Sequence, residues 1–338
     1  MSARAFICGC SGLAFSPEEE AFVRDAAPWG LILFKRNVED RVQLRALTDR
    51  FRHLTGRSDA PVLIDQEGGR VQRLTMPHWP VYPAASRLSA ATPDPARQTL
   101  LAFLVARLIA HDLAEVGVTV DCAPVLDVPA EGSNPIVGDR AYGVDVETVA
   151  RLGRAAAEGL MAGGVMPVIK HVPGHGRARV DSHLDLPVVD AAPRALMATD
   201  FAPFAANADL PAAMTAHVVF SAFDAAHPAT LSAKVIAEVV RGAIGFDGLL
   251  MSDDLSMKAL KGSFRDRASG VFAAGVDIAL HCNGDLAETR EVAAVAPRLA
   301  GKALNRAENA LARIAGGARP FDPVDARDKL RSGLAVVA

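Results

Sequence analysis

The stretch "GLLMSDD" at residues 248–254 runs from apolar residues into three polar ones, and it is the seventh of eight such runs along the chain. A short apolar run that ends in polar residues predicts a buried β-strand. The other seven runs are "AFICGC" (5–10), "GLILFK" (30–35), "PVLIDQE" (61–67), "VTVDCAPVLDV" (118–128), "VMPVIKH" (165–171), "AAMTAHVV" (212–219) and "VDIALHC" (276–282).

Segments with helical periodicity separate these runs. After the second run, Gly56 gives a helix stop signal at the end of one apolar face, made of Val38, Leu44, Leu47, Phe51 and Leu54. Buried strands that alternate with amphipathic helices predict a parallel sheet covered by helices. Eight such units favour an α/β fold with a single (β/α)8 TIM-like barrel, and no GxGxxG follows the first strand to support a Rossmann fold. We therefore predict one catalytic domain over 1–338, with a C-terminal tail from about residue 317.

Composition narrows the class of protein and its partners. The 338 residues are 50% apolar and 22% charged, and the formal charge of −3 argues against binding to nucleic acid or to anionic membrane. No apolar run reaches the ~20 residues of a membrane span, and the N-terminus lacks the apolar core of a signal peptide. The four cysteines form no CxxC pair, so we interpret them as buried free thiols of a cytoplasmic protein.

Polar residues at the predicted strand ends point to a catalytic site. In barrels of this type the chemistry lies on the loops after the carboxyl ends of the strands. One or two of the aspartates would serve equally well as helix N-caps, but that explanation is poor for the whole set. We interpret His281 as a rim or core residue. The set is Asp65, Glu67, Asp127, Lys170, His171, His217, Asp253, Asp254 and His281.

A metal site is not expected. Histidines at barrel strand ends bind zinc in amidohydrolases, but the first strand here has no HxH pair and the chain has no HExxH motif. Pro173 and Gly174 would break a helix that aligned His171 with His175. We expect neither a metal nor an organic cofactor.

The stretch "KHVPGHGRARVDSHLDLP" at 170–187 suggests proton transfer. It lacks the GK[ST] sequence and the following helix of a phosphate-binding loop. Asp181 and His183 are two residues apart, so a carboxylate can bond one ring nitrogen and leave the other to move a proton. Taken alone, a D-x-H pair and a "PGHG" turn are also compatible with a purely structural loop.

Together these motifs resemble the glycoside hydrolase family 3 β-N-acetylhexosaminidases of bacterial peptidoglycan recycling. The resemblance is carried by "LILFKRN", "DQEGGRVQRL", "NPIVGDRAYG", the 170–187 stretch, "MTAHVVF" and "GLLMSDDLSMKAL". It implies a retaining mechanism with Asp253 as nucleophile and an Asp181–His183 acid/base dyad. It also implies sugar binding by Asp65, Arg73, Arg140, Lys170, His171 and Met214.

The resemblance further implies a substrate and a moving loop. The substrate would be N-acetylglucosaminyl-1,6-anhydro-N-acetylmuramic acid, with or without a stem peptide. Separately from the resemblance, we expect a monomer. Loop 173–184 would swing His183 over the sugar, with Gly174 and Gly176 as hinges. Strand alternation predicts that Asp253 points into the barrel mouth and Asp254 away from it. Substrate-assisted cleavage, phosphorolysis and a catalytically silent sugar-binding barrel remain alternatives.

Overall fold

Eight parallel strands close into a barrel in the computed structural model, which describes residues 2–182 and 184–334. The strands follow one another in chain order, and the eighth pairs with the first. This confirms the predicted α/β class and the (β/α)8 barrel. The strands are β1 (Arg4–Cys8), β2 (Pro28–Leu33), β3 (Val62–Ile64), β4 (Val120–Asp121), β5 (Met166–Val172), β6 (Ala212–Thr215), β7 (Leu249–Asp254) and β8 (Ile278–His281).

Helices cover the outside of the barrel, and the segment between β6 and β7 is a π-helix, Val235–Ala243. Short 3-10 helices lie at Lys35–Asn37, Gly138–Arg140 and Ala229–Leu231. The α-helices are α1 (Pro17–Ala26), α2 (Arg41–Thr55), α3 (Ala85–Ala90), α4 (Pro95–Glu115), α5 (Val146–Ala162), α6 (Pro193–Ala198), α7 (Ala202–Ala205), α8 (Phe264–Ala273), α9 (Leu286–Val295), α10 (Gly301–Ala312) and α11 (Pro323–Leu334).

Helix α2 shows how local sequence sets the element boundaries. Its amino end is capped by Asp40, whose carboxylate accepts a hydrogen bond from the N–H of Gln43. The predicted apolar face therefore begins inside the helix at Leu44, and Val38 lies before it. Gly56 ends the helix in the left-handed region, with φ of 65°, as the stop signal predicts.

Successive residues of β1 face opposite sides of the barrel wall. Ala5 and Ile7 belong to the cluster inside the barrel, whereas Phe6 and Cys8 pack against the surrounding helices. This alternation gives the barrel a filled interior below its mouth. The predicted thiols are confirmed, since all four cysteines are buried and unpaired.

Two segments differ from the sequence prediction. The fourth run, 118–128, forms a regular strand only over Val120–Asp121, because Pro124 has no N–H to offer a strand ladder. The predicted tail contains α11, whose buried Leu330 packs in the same apolar cluster as Leu101 of α4. Among the described residues, no helix has both the length and the apolar character needed to cross a membrane.

Candidate active site

One cavity of about 190 Å³ opens at the carboxyl ends of the strands. It brings together seven of the nine predicted site residues. Asp181 is half-buried on the adjacent loop, and its neighbour Ser182 lines the cavity. The ninth, His183, lies outside the described residues. The seven that line the cavity are Asp65, Arg73, Arg140, Lys170, His171, Met214 and Asp253.

A chain of alternating charges forms one side of the cavity. The Nζ atom of Lys170 lies 2.8 Å from Oδ1 of Asp65 and 2.7 Å from Oε1 of Glu67. Arg73 donates to Asp65 at 3.0 Å, and Arg140 makes two bonds of 2.8 Å to Glu67. Three cations thus alternate with two carboxylates. Such a chain offers fixed donors and acceptors to a ligand with several hydroxyl groups.

The ion pairs keep both carboxylates of this chain ionised. Burial alone would raise the pKa of Asp65, but Lys170 and Arg73 outweigh it and hold the pKa well below its usual value. Burial likewise opposes ionisation of Glu67, yet Lys170 and Arg140 lower its pKa to about 2. The carboxylates in turn raise the pKa of Lys170. Every member of the chain is therefore charged at neutral pH.

We expect Lys170→Met to lower the free energy of unfolding by about 3–5 kcal/mol at pH 7, because it removes a buried cation and leaves two partly buried carboxylates short of a partner. The folded-state pKa values of Asp65 and Glu67 should rise towards their unfolded values, so the stability difference between the variant and the wild type should shrink as the pH falls below about 4. In the wild type the depressed pKa of Asp65 gives stability that is lost only below about pH 4. Guanidinium chloride unfolding between about pH 2 and pH 8 measures both effects.

The control for this prediction is Lys258→Met, which removes an exposed lysine. It should change the free energy of unfolding by no more than about 0.5 kcal/mol. Equal stability losses in the two variants, or a loss in Lys170→Met that does not depend on pH, would contradict the assigned role of the Lys170 ion pairs.

Asp253 supplies an ionised carboxylate in the same cavity as the chain of alternating charges. It lies in β7, is 7% exposed, and accepts a hydrogen bond of 2.8 Å from the N–H of Asp254. Burial opposes ionisation, but His171, together with that N–H group and Lys170, brings the pKa below its usual value. The side chain therefore has the charge that a nucleophile needs at neutral pH.

Asp254 does not turn away as strand alternation predicts, since it also lines the cavity. The pairing of β7 with β8 shifts register between Met251 and Asp254, which interrupts the regular alternation. Its carboxylate is nevertheless occupied. It accepts hydrogen bonds from the N–H groups of Ser256 at 3.0 Å and Cys282 at 3.1 Å, and from the Ser256 hydroxyl. These three hydrogen bonds give the carboxylate of Asp254 a structural role that the described contacts of Asp253 do not provide.

Asp127 and Glu67 carry site functions that the sequence analysis did not assign to them. Asp127 is fully buried, and its Oδ2 lies 2.7 Å from Nδ1 of His171. Its Oδ1 accepts a bond of 2.6 Å from the N–H of His175. Both residues were noted as polar strand ends, and that position was the available signal. Asp127 fixes the ring of His171 so that its other nitrogen remains available to a ligand.

The loop that begins at Pro173 is packed against the barrel in its first half. The carbonyl groups of Gly176 and Ala178 accept hydrogen bonds from the N–H groups of Ala130 and Asn134. A Cβ atom on Gly176 would lie 1.8 Å from the carbonyl oxygen of Val128. Close packing thus explains this glycine without a hinge. Further along, Ser182 is buried and its Oγ lies 3.3 Å from Nε2 of His175.

His175 is a neutral residue of the same loop. Burial lowers its pKa to about 4, although Asp127 partly opposes the shift. Its ring lies against that of His171, with centroids 5.8 Å apart. A neutral ring at this position can exchange a hydrogen bond with Ser182 without adding charge to the cavity.

His281 and a cluster of polar residues on α4 do not line the active-site cavity. His281 is fully buried against the ring of Phe264, as the core interpretation predicts. In the described part of the chain, His111, Asp112 and Glu115 have metal-ligand spacing, but they lie on α4 outside the cavity. Asp112 accepts a bond of 2.6 Å from Tyr82.

Comparison with known proteins gives a consistent result. The model for the glycosyl hydrolase family 3 N terminal domain matches residues 7–316. A Beta-hexosaminidase from Alkalilimnicola ehrlichii is 40% identical over 280 residues, which are 81% of this chain and 79% of that protein.

Solved structures agree with the sequence comparison. NagZ from Neisseria gonorrhoeae, in complex with N-trifluoroacetyl-D-glucosamine, matches with a TM-score of 0.86 and 28% identity, covering 100% of this chain and 99% of that one. A glycoside hydrolase family 3 beta-N-acetylglucosaminidase from a Paenibacillus species matches with a TM-score of 0.82 and 30% identity. That match covers 98% of this chain and 66% of the Paenibacillus chain.

Proposed function

Since this chain belongs to glycosyl hydrolase family 3 and is a glycoside hydrolase of β-N-acetylhexosaminides, we propose that it removes a terminal β-linked N-acetylglucosamine from peptidoglycan fragments. The observation that carries the proposal is the ionised, buried carboxylate of Asp253 beside the charged chain of the cavity. The preferred substrate is N-acetylglucosaminyl-1,6-anhydro-N-acetylmuramic acid, with or without its peptide.

The reaction proceeds with retention of configuration. Asp253 attacks the anomeric carbon from the α face, the glycosidic bond breaks, and the departing oxygen takes a proton from the acid/base group. Water then attacks the anomeric carbon and gives its proton to the acid/base group, while the bond to Asp253 breaks and the sugar leaves with the carboxylate restored. The low pKa of Asp253 suits both steps, because the carboxylate must be ionised to attack and is a good leaving group afterwards.

We assign acid/base catalysis to His183, with Asp181 as the group that orients its ring. His183 lies outside the described residues, so the assignment rests on the sequence motif and on the position of the intervening Ser182. That residue is buried, lines the cavity, and its carbonyl accepts a bond of 3.2 Å from the N–H of Ala259. The loop therefore reaches the cavity at Ser182, the residue that follows Asp181.

Recognition of the sugar falls to the charged chain and to two apolar side chains. Asp65, Arg73 and Lys170 present a carboxylate and two cations to sugar hydroxyls, which suits bidentate hydrogen bonding. Met214 lies beside Lys170 in the barrel register and Phe34 lines the same cavity, so the less polar parts of a sugar have an apolar surface to contact.

We also propose that the chain acts as a single-domain monomer in the cytoplasm. The residues that form the described cavity all come from one barrel, and four free thiols suit a reducing compartment. Sedimentation at working enzyme concentration tests the monomer, and cell fractionation tests the location.

The test is turnover of purified muropeptides followed by mass spectrometry, with and without 10-fold excess of phosphate over substrate. We expect free N-acetylglucosamine in both cases. A glycosyl phosphate as main product would replace hydrolysis with phosphorolysis. If the protein only bound the fragments, it would be a silent sugar-binding barrel. An oxazoline in place of an Asp253 adduct would indicate substrate-assisted cleavage.

A further inference from the structure

His217 is a buried histidine that the proposed reaction does not use. It lies two residues beyond β6, and its side chain has no exposed surface. Its Nε2 atom is 3.0 Å from the main-chain oxygen of Asp254, and its Nδ1 atom is 2.8 Å from the hydroxyl of Thr230. A carbonyl oxygen only accepts hydrogen bonds, so Nε2 must carry a proton.

The state of the other ring nitrogen follows from the surroundings. Burial lowers the pKa of His217, although the nearby charges of Asp253 and Asp254 oppose the shift and His171 adds to it. The ring is therefore neutral at neutral pH, and Nδ1 accepts the proton of the Thr230 hydroxyl. The same hydroxyl also donates to the carbonyl of Ala216, 3.0 Å away, so its proton is shared between the two acceptors.

The remaining contacts connect the Thr230 hydroxyl to β7. The Thr230 oxygen lies 2.7 Å from the Thr215 oxygen, and since the Thr230 proton points to His217 and Ala216, Thr215 is the donor of this pair. The Thr215 oxygen in turn lies 3.4 Å from the main-chain nitrogen of Asp253, which only donates. Each hydrogen bond in this series thus has a defined donor and a defined acceptor.

These hydrogen bonds form a series that begins and ends at the backbone next to the side chain of the proposed nucleophile. It begins at the N–H of Asp253, passes through Thr215, Thr230 and His217, and ends at the carbonyl of Asp254. The carboxylate of Asp253 itself accepts the N–H of Asp254. The backbone is therefore held on both sides of the reacting side chain.

We propose that Thr215, Thr230 and His217 form a positioning network that fixes the carboxylate of Asp253 for attack on the anomeric carbon. This inference rests on the proposed role of Asp253 as nucleophile. Attack requires reacting atoms about 3–3.5 Å apart with aligned orbitals, and a misplacement of 1 Å can cost on the order of 100-fold in rate. A network that merely satisfied buried polar groups would affect stability and leave the rate of attack unchanged.

The experiment compares Thr230→Val, which removes the hydroxyl at nearly constant volume, with Thr230→Ser, which keeps it. For 4-nitrophenyl N-acetyl-β-glucosaminide, we expect the valine variant to lose about 10–100-fold in kcat. The serine variant should restore most of the rate. Inhibition by N-acetylglucosamine should change less than 2-fold in either, and a 5-fluoro glycosyl fluoride should label Asp253 more slowly in the valine variant.

Thr289→Val is the control for the loss of a buried hydroxyl. Thr289 lies in α9, is 3% exposed, and donates to the carbonyl of Asp285, the N-cap of that helix, away from the cavity. This variant should keep the wild-type kcat. If Thr230→Val does not fold, Thr215→Val interrupts the same network at its other end, with Thr215→Ser as its partner.

The proposal is overturned by a wild-type rate of labelling in the valine variants, by serine variants as slow as the valine variants, or by product inhibition that weakens as much as kcat falls. These outcomes differ from failure of the proposed function. In that case the wild-type enzyme itself would give no label on Asp253, which would overturn the network's role as well.

Discussion

Replacing Asp253 with asparagine is expected to abolish turnover of natural and activated substrates alike, with losses of roughly 10⁴–10⁶-fold, as for the removal of other catalytic nucleophiles. The amide oxygen can still accept the N–H of Asp254, so the fold of the strand end should survive. Inhibition by N-acetylglucosamine should therefore remain close to wild type. Initial rates with both substrate types, together with product inhibition, measure the effect.

Asp254→Asn is the matched control one residue along the chain. Its carboxylate accepts two N–H groups and a hydroxyl, so the change should cost stability while much of the turnover remains. In Asp253→Ala, azide should displace an activated leaving group directly and give an α-glycosyl azide. A loss in Asp254→Asn as large as that in Asp253→Asn would move the nucleophile to Asp254.

Replacing His183 with alanine should slow substrates with poor leaving groups by about 10²–10⁴-fold, because their departing oxygen needs a proton. Activated phenols depart without that proton, so their first step should be nearly normal. Azide should then attack the accumulated glycosyl–Asp253 ester and give a β-glycosyl azide. A series of aryl glycosides of increasing phenol pKa, with product analysis by NMR, measures both effects.

Two further variants make this prediction specific to the dyad. Asp181→Asn should produce a smaller loss with the same dependence on the leaving group, because it weakens the orientation of the His183 ring. His171→Ala is the comparison, since His171 forms a second Asp–His pair with Asp127 in the rigid barrel. If the leaving-group dependence and the β-azide product followed His171 and not His183, the acid/base assignment would move to the Asp127–His171 pair.

Sequence analysis located the strands and the residues at their ends, because apolar runs and their polar termini are local properties of the chain. It did not find the roles of Glu67 and Asp127. Their importance comes from partners such as Arg140 and His171, 73 and 44 residues away, which only barrel closure brings into contact. The same holds for Asp254, whose direction depends on a register shift with the neighbouring strand.

The structural role of the loop glycines also could not be predicted from the sequence. A "PGHG" sequence is compatible with a hinge, a turn or a close packing contact, and these alternatives differ only in what lies beside the glycine. At Gly176 the neighbour is the backbone of Val128, from a segment 48 positions earlier. No local pattern contains that information, so the predicted hinge could not be separated from packing before the barrel was assembled.

Helix α11 affects how this enzyme can be shortened for expression and crystallisation. The family match ends at residue 316, whereas α11 begins at Pro323 and covers α4 beside Leu101, where a Cβ atom on Gly333 would lie 2.4 Å from the leucine side chain. A chain cut at the family boundary would expose this apolar surface to solvent. Such a truncated protein should aggregate even though its catalytic side chains are complete.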